Sequence, residues 1–410
     1  MPSLEVLQLS GISCGAGPLT LASKALRKVA LNLSQRCQLH LTTGLAIEQF
    51  CYSNQLNAPP ANGSGLIAEI SQHLSSSLTQ LQLIHIRIEE PYMERLLLSC
   101  TALTDLKLHG YLEFSPKTMQ AASQQCKWKS FEVVYRAVPN DGSYQALKIL
   151  PRSLESLTFH LGIYGDATLT AAIEQLPHLK QLRYHTENFS DVIPTLLAQI
   201  GSQLTLLDIG MHEKLGYNGF LSIANRCPNL HALTLHNDHK EVGNYVGSDL
   251  PLLAMVRPVE RASNFRLLNL NYFTFLSFPC LQVLATNCVN LEELHLAGVN
   301  ALWDEILYLL AENCLGLRLL DLRACRSITD EGILRVAAKG RLSYLNLSSC
   351  YQLTSKSVTA LESCFRHLKV VVVDGLNGID EAVSALKLVC LNRLRTSFSH
   401  WCPRWDDETY

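Results

Sequence analysis

Histidine recurs at one position of a repeated sequence pattern. His109, His160, His185 and His236 are separated by one or two periods of about 25 residues. Imidazole titrates near neutral pH, so such a series suits metal binding, proton transfer or hydrogen bonding to a partner. A metal site is disfavoured, because no third ligand is assured beside His160 and His185 and carboxylates are few there.

We therefore interpret this series, with the charged and aromatic residues around it, as a partner-binding surface. The alternative is that these are ordinary solvated side chains, since exposed polar residues need no function. The candidate residues, taken from outward positions of successive repeats, are Asp105, Lys107, His109, Tyr135, His160, Arg183, His185, Asp208, His236, His295, Asp321 and Arg323.

Signatures of catalysis are missing from the sequence. It contains no HExxH, phosphate-binding P-loop or EF-hand pattern, and Gly15-Ala16-Gly17 lacks the rest of a nucleotide fingerprint. The adjacent acids Glu89-Glu90 and Asp406-Asp407 are more typical of solvated turns than of a poised acid and base. We predict no catalytic residues, no cofactor and no enzymatic activity.

The composition excludes several classes of protein. Of 410 residues, 76 are Leu, and only 17% are charged. The net charge of −2 does not favour a protein that wraps nucleic acid, whose binding needs a basic field. Apolar runs fall short of the roughly 18 residues of a membrane span. The sequence thus predicts a soluble, unsecreted protein without nucleic-acid or membrane partners.

A motif of three apolar residues, spaced as in LxxLxL, recurs along the chain. Most intervals are 25 or 26 residues, with 28 and 23 on either side of Phe131 and 35 after Leu230. Such a period indicates leucine-rich repeats, each a short strand plus a returning helix. A degenerate repeat is predicted around Leu45 to Gln55. The other opening residues are Leu4, Leu26, Leu78, Leu103, Phe131, Leu154, Leu179, Leu204, Leu230, Phe265, Leu291, Leu317, Leu342, Leu368 and one near Leu391.

The predicted architecture is one α/β solenoid over residues 1–394, with about 15 or 16 repeats and parallel strands lining its concave face. In the clearest repeat, alternation places Leu320 and Leu322 on one face of a strand and Asp321 on the other. Thr329 or Asp330 is then predicted to cap a helix. Residues 395–410 depart from the pattern and are predicted to form a cap or tail.

The 14 cysteines are spread along the chain and include no CxxC pair. Six occupy fixed repeat positions, which predicts a packing role as small buried hydrophobes and no disulfide framework. A reducing compartment, cytoplasmic or nuclear, follows. These structural cysteines are Cys100, Cys227, Cys288, Cys314, Cys325 and Cys350.

The segments Leu317 to Gly340 and Leu342 to Cys364 resemble the cysteine-containing leucine-rich repeats of F-box/LRR proteins. Members of this family are substrate-recognition subunits of Skp1–cullin–F-box (SCF) ubiquitin ligases. The resemblance implies a ribonuclease-inhibitor-like horseshoe with helices on its convex face. It also implies a non-catalytic adaptor that binds a protein substrate on the concave face for ubiquitin-dependent degradation. The alternative is an LRR scaffold or inhibitor unrelated to ubiquitination, and a small-molecule receptor is a third class.

An F-box precedes the repeats in this family, and no segment of this sequence has its Leu-Pro start and helical pattern. Skp1 and cullin are therefore expected partners only if an F-box precedes this chain. The family also includes relatives that carry the repeats alone.

Two segments interrupt the period. Residues 236–262 form an insertion whose apolar centre, Leu250 to Val256, is either a partner-contacting loop or an extension of a returning helix. The tail contains Trp401 and Trp405 beside acidic residues, which suits either a hydrophobic cap or a partner anchor.

Overall fold

The computed structural model describes residues 4–12, 18–33, 38–54, 61–135, 141–160, 170–185, 192–211, 216–237, 248–339, 341–354, 356–357 and 368–373. The chain divides into two compact units, Met1–Lys214 (unit 1) and Leu215–Tyr410 (unit 2). In the described part of the chain, every helix is too short or too polar to span a lipid bilayer.

In unit 1, six described strands come first along the chain, and helices separate most of the later strands. The strands are β1 (Val6–Ile12), β2 (Leu19–Leu21), β3 (Lys28–Leu33), β4 (Leu39–Leu41), β5 (Gln49–Asn54), β6 (Ala61–Asn62), β7 (Gln80–Ile88), β8 (Asp105–Leu112), β9 (Ser130–Tyr135), β10 (Ser156–His160), β11 (Gln181–His185) and β12 (Leu206–Met211). The helices are α1 (Ser64–His73), α2 (Glu90–Ser99), α3 (Pro116–Gln125), α4 (Asp141–Leu147) and α5 (Val192–Ile200).

The main sheet of unit 1 is parallel, and the order of its strands follows the sequence: β1, β3, β5 and then β7 through β12, with β6 paired to β7. Strands β2 and β4 form a separate two-stranded parallel sheet. Its register aligns the second apolar residue of successive motifs in one buried row, because side chains alternate between the two faces of a strand. The row comprises Val29, Phe50, Leu81, Leu106, Phe131, Leu157, Leu182 and Leu207.

Helices also separate most strands of unit 2, and these strands are shorter. Its strands are β13 (Ala232–Asn237), β14 (Leu267–Asn269), β15 (Glu293–His295), β16 (Leu319–Asp321), β17 (Tyr344–Asn346) and β18 (Val370–Val372). They pair in parallel and in order, again with the apolar row in register. The helices are α6 (Gly216–Arg226), α7 (Leu250–Val256), α8 (Val259–Ala262), α9 (Phe278–Asn287), α10 (Asp304–Asn313) and α11 (Asp330–Lys339).

A turn that recurs after the strands of unit 2 explains their shortness. The residue two places beyond the third apolar position has positive φ at Tyr272, Gly298, Ala324 and Ser349. Just before this turn, the carboxyl or amide oxygen of the last strand residue accepts a backbone N–H two residues on, at Asn269, Asp321 and Asn346. These side chains therefore help to end the strands.

The predicted fold class, an α/β leucine-rich repeat solenoid of parallel strands and returning helices, is confirmed within each unit. Strand β5 supplies the repeat that was expected around Leu45 to Gln55.

One repeat boundary that was assigned from the sequence is wrong. Phe131 pairs with Leu106, so it is the second apolar residue of its motif, and Trp128 is the first. With that correction the interval of 28 becomes 25. The single domain predicted over 1–394 stays a prediction.

The six cysteines at fixed repeat positions are all buried. Cys100, Cys288 and Cys314 are the C-cap residues of α2, α9 and α10. Cys325 Sγ donates to the carbonyl of Leu296 at 3.2 Å, and Cys350 Sγ donates to the carbonyl of Leu322 at 3.0 Å. Each bond joins a thiol to the preceding repeat. Burial raises the pKa of the Cys227, Cys314 and Cys350 thiols to about 12, which suppresses thiolate reactivity.

The apolar centre of the 236–262 insertion is helical. Within α7, Leu252, Met255 and Val256 are fully buried, whereas Leu250 is 57% exposed. This agrees with a returning helix and contradicts an apolar contact loop at these positions. Residues 238–247 of the insertion, and the tail with Trp401 and Trp405, lie outside the described residues.

Candidate functional site

Polar and ionisable side chains line one face of strands β8 to β12 in unit 1. In β8 the buried Leu106 and Leu108 face the helices, so Lys107 and His109 project from the opposite face. The same alternation repeats on the next four strands. We call this surface the ionic face; it comprises Lys107, His109, Glu132, Thr158, His160, Arg183, His185 and Asp208.

The first group of the ionic face links β8 to β9. His109 Nε2 lies 2.7 Å from Glu132 Oε1, and Lys107 Nζ lies 3.7 Å from Glu132 Oε2. Burial disfavours the ionised carboxyl. The hydrogen bond with His109 and the charges of His109, Lys107 and Arg183 outweigh that effect and lower the pKa of Glu132 from its ordinary 4.5. Glu132 is thus held as a carboxylate beneath two basic side chains.

The second group repeats this arrangement between β11 and β12. His185 Nε2 lies 3.1 Å from Asp208 Oδ1, and Arg183 Nε lies 3.9 Å from Asp208 Oδ2. In both groups a basic residue and a histidine two positions later share a carboxylate on the next strand. The long Arg183 contact is an ion pair without a short hydrogen bond.

His160 lies on β10, between the two groups. Its ring stacks on that of His185, with centroids 4.2 Å apart and planes 14° from parallel. Burial, reinforced by the neighbouring His185, lowers the pKa of His160 to about 3. This imidazole is therefore neutral at physiological pH and contributes an aromatic surface to the ionic face.

Glu132 was missed by the sequence analysis, and Tyr135 was placed in its position. The cause is that Phe131 was taken as the first apolar residue of its motif, which shifted every assignment in that repeat by three residues. The aromatic ring of Tyr135 in fact packs edge-on against the buried Phe114, with centroids 6.5 Å apart, and its hydroxyl is buried. Trp128 was the available signal, since it lies 25 residues after Leu103.

Three candidate residues form a separate cluster in unit 2. Arg323 Nη2 lies 2.9 Å and His295 Nδ1 lies 3.7 Å from Asp321 Oδ2. Burial opposes ionisation of Asp321, but the contact with His295 and the charge of Arg323 prevail and lower its pKa. Asp321 also takes the strand-ending position of Asn269 and Asn346, so its carboxylate has a structural task.

The remaining candidates contribute less to a common site. Asp105 Oδ2 accepts a hydrogen bond from Thr104 Oγ1 at 2.6 Å, one position before the buried Leu106. His236 belongs to β13 in unit 2, and its side chain lies outside the described part. Among the side chains that the structure describes, no three His, Cys, Asp or Glu residues are grouped so as to hold a metal ion.

Similarity to known proteins is found among solved structures. No protein-family model matches the chain, and no curated protein matches it in sequence. The structure of Rad7 in complex with Elc1 from yeast has a TM-score of 0.45 and 17% identity, covering 71% of this chain and 84% of that one. A leucine-rich repeat protein of Leptospira interrogans has a TM-score of 0.43 and 15% identity, covering 91% and 90%. At these TM-scores the fold assignment rests on the strands and helices described above.

Replacing Glu132 with glutamine is expected to destabilise unit 1 at pH 7 by about 1–3 kcal/mol, because the part-buried hydrogen bond with His109 loses its charge. A carboxyl whose pKa is lowered by folding stabilises the folded state fully at pH values above its pKa in the unfolded chain. This contribution is lost as the pH falls through its pKa in the folded state. The difference between wild type and Glu132→Gln should therefore shrink below pH 4.5. Urea unfolding at several pH values measures it.

The matched control is Glu155→Gln. Glu155 is exposed and pairs with Lys180 at 3.0 Å and Lys129 at 4.0 Å, so its neutralisation should matter less. Equal losses in the two variants would contradict the role given to Glu132.

Proposed function

We propose that the chain is a non-catalytic protein-interaction module that binds a protein partner on the ionic face of unit 1. The supporting observation is the pair of cation, histidine and carboxylate groups, one on β8 and β9 and the other on β11 and β12. Their mutual contacts hold the side chains in place before binding, which lowers the entropy cost of ordering an interface. The side chains of Lys107 and Arg183 remain 31% and 38% exposed, so a partner can contact them.

The finer proposal is that the partner is a substrate and the chain a substrate-recognition subunit of an SCF-type ubiquitin ligase, acting in the cytoplasm or nucleus. Its support is the resemblance of the repeats from Leu317 to Cys364 to those of F-box/LRR proteins. An F-box in the same polypeptide would connect the repeats to Skp1 and cullin.

A double variant, Lys107→Ser/Arg183→Ser, tests binding at the ionic face. Arg95→Ser/Lys117→Ser is the matched control, because it removes the same charge from exposed positions of α2 and α3. Partners that co-purify with the wild type should lose about ten-fold or more in affinity with the first variant and little with the second. Equal retention by both variants would rule out the ionic face as the binding surface.

Co-purification from cells tests the finer proposal. The polypeptide expressed from its own full-length transcript should bring down Skp1 and a cullin, and the partner's half-life should lengthen when the chain is depleted. A partner that binds the ionic face while Skp1 is never recovered would instead support the scaffold or inhibitor function.

A further inference from the structure

Helix starts in unit 2 are linked from one repeat to the next by side chains. The first residue of α10 and of α11 is an aspartate, and its carboxylate accepts hydrogen bonds from the Thr hydroxyl and the backbone N–H at the next helix start. Asp304 bonds Thr329 in this way, at 2.5 Å from Oγ1 and 2.8 Å from the N–H. Asp330 bonds Thr354, at 2.6 and 2.9 Å. A related pair joins Asp249 to Ser277.

One step of this series is aromatic. Phe278 is the first residue of α9, the position that Asp304 and Asp330 hold in their helices. Trp303 is the N-cap of α10, where the next helix has Thr329, and its side chain makes no capping hydrogen bond. The two rings contact each other, with centroids 5.7 Å apart. An aromatic pair thus occupies the positions that an acid and hydroxyl pair holds in the next step.

This arrangement has a cost for folding. Helix α10 loses a capping hydrogen bond that Ser, Thr, Asp or Asn would provide. Trp303 also leaves half of its surface in water, at 50% exposure. Exposed Trp is enriched among residues that dominate binding energy in protein interfaces. Leu250, the first residue of α7, is 57% exposed and adds a further apolar side chain at a helix start.

The charge beside the aromatic pair is negative. Glu305 and Glu331 are exposed near the starts of α10 and α11, next to the half-buried Asp304 and Asp330. The described basic residues at these helix starts are Arg326 and Lys356. Four carboxylates against two cations make these helix starts net negative, and an indole face attracts cations.

We propose that Trp303 and Phe278 anchor a basic segment of a second protein. An apolar side chain of that segment packs on the two rings, and an Arg or Lys lies over the indole and pairs with Glu305 or Glu331. This surface belongs to unit 2 and shares no residue with the ionic face.

The deciding variant is Phe278→Asp/Trp303→Thr, which installs the acid and hydroxyl pair of the two following steps. It should fold and melt at or above the wild-type temperature. The probe is an array of twelve-residue peptides with two Leu and three Arg at varied spacings in a Gly/Ser background, and the control array carries Glu in place of Arg. The wild-type chain should bind the Arg peptides about ten-fold or more tightly than the double variant binds them. It should also bind the Arg peptides about ten-fold or more tightly than it binds the Glu peptides.

A second variant, Glu305→Gln/Glu331→Gln, leaves the rings unchanged and keeps the test valid if the first one misfolds. It should weaken binding of the Arg peptides about ten-fold at low salt and less at high salt, since exposed charges are screened. Three results would overturn the proposal: no Arg peptide binding by the wild type, unchanged affinity in Glu305→Gln/Glu331→Gln, or equal affinity in a folded Phe278→Asp/Trp303→Thr variant.

Discussion

Replacing Gly110 with alanine is expected to destabilise unit 1 by about 3 kcal/mol or more. Gly110 lies in β8 directly after His109 and has φ +150°, which L side chains rarely adopt. A Cβ there would lie 1.9 Å from the carbonyl oxygen of Ile86 on the neighbouring strand. The register between β7 and β8 shifts at this point, between Ile84 and Ile86, so backbone must move to admit a methyl group.

Gly65→Ala is the matched control in the same unit. Gly65 is an exposed residue of α1, and a Cβ there would meet nothing within 4 Å. Alanine should stabilise that helix by up to about 1 kcal/mol. Thermal or urea unfolding of the two variants measures the contrast, and equal stability of both would show that the close approach of β7 and β8 is misassigned.

Leu322→Asp is expected to destabilise unit 2 by about 3–5 kcal/mol at pH 7. The side chain of Leu322 is fully buried, so the new carboxyl has no water and no matched partner. Its pKa would be raised in the folded state, which then binds more protons than the unfolded chain. The loss should therefore be larger at pH 7 than at pH 4, and denaturant unfolding at both pH values tests this.

Leu315→Asp makes the same chemical change seven positions earlier. Leu315 is 64% exposed in a turn, so this variant should stay within about 0.5 kcal/mol of the wild type. If Leu322→Asp and Leu315→Asp melt at the same temperature, the inward direction of Leu322 is wrong.

Much of the fold could be predicted because a solenoid repeats one local rule. Each LxxLxL motif specifies a strand by alternation and buries its leucines only by stacking on neighbours. The same rule failed where a repeat substituted an aromatic residue. With Trp128 at the first apolar position, Phe131 imitated the start of a motif, and the assignments in that repeat shifted.

The candidate site was less predictable, because its contacts join residues about one period apart. His109 and Lys107 were identified by type and position, whereas the residue beside Lys107 on the next strand was taken to be Tyr135 and is Glu132. The stacking of His160 on His185 depends on the register of β10 against β11. In this register the two histidines are paired, and each is the last residue of its strand. A sequence shows which residue types are available and leaves their distances open.

The sequence by itself determined the repeat, the buried leucine rows and the positions of the six structural cysteines, because these follow from a period and from alternation along single strands. The tertiary structure alone decided which side chains meet across strands and helix starts. It paired Glu132 with His109, moved Tyr135 to the helix side of the sheet and brought Phe278 to Trp303. The physical reason is that cross-repeat neighbours are fixed by register, and an error of three residues exchanges one set of neighbours for another.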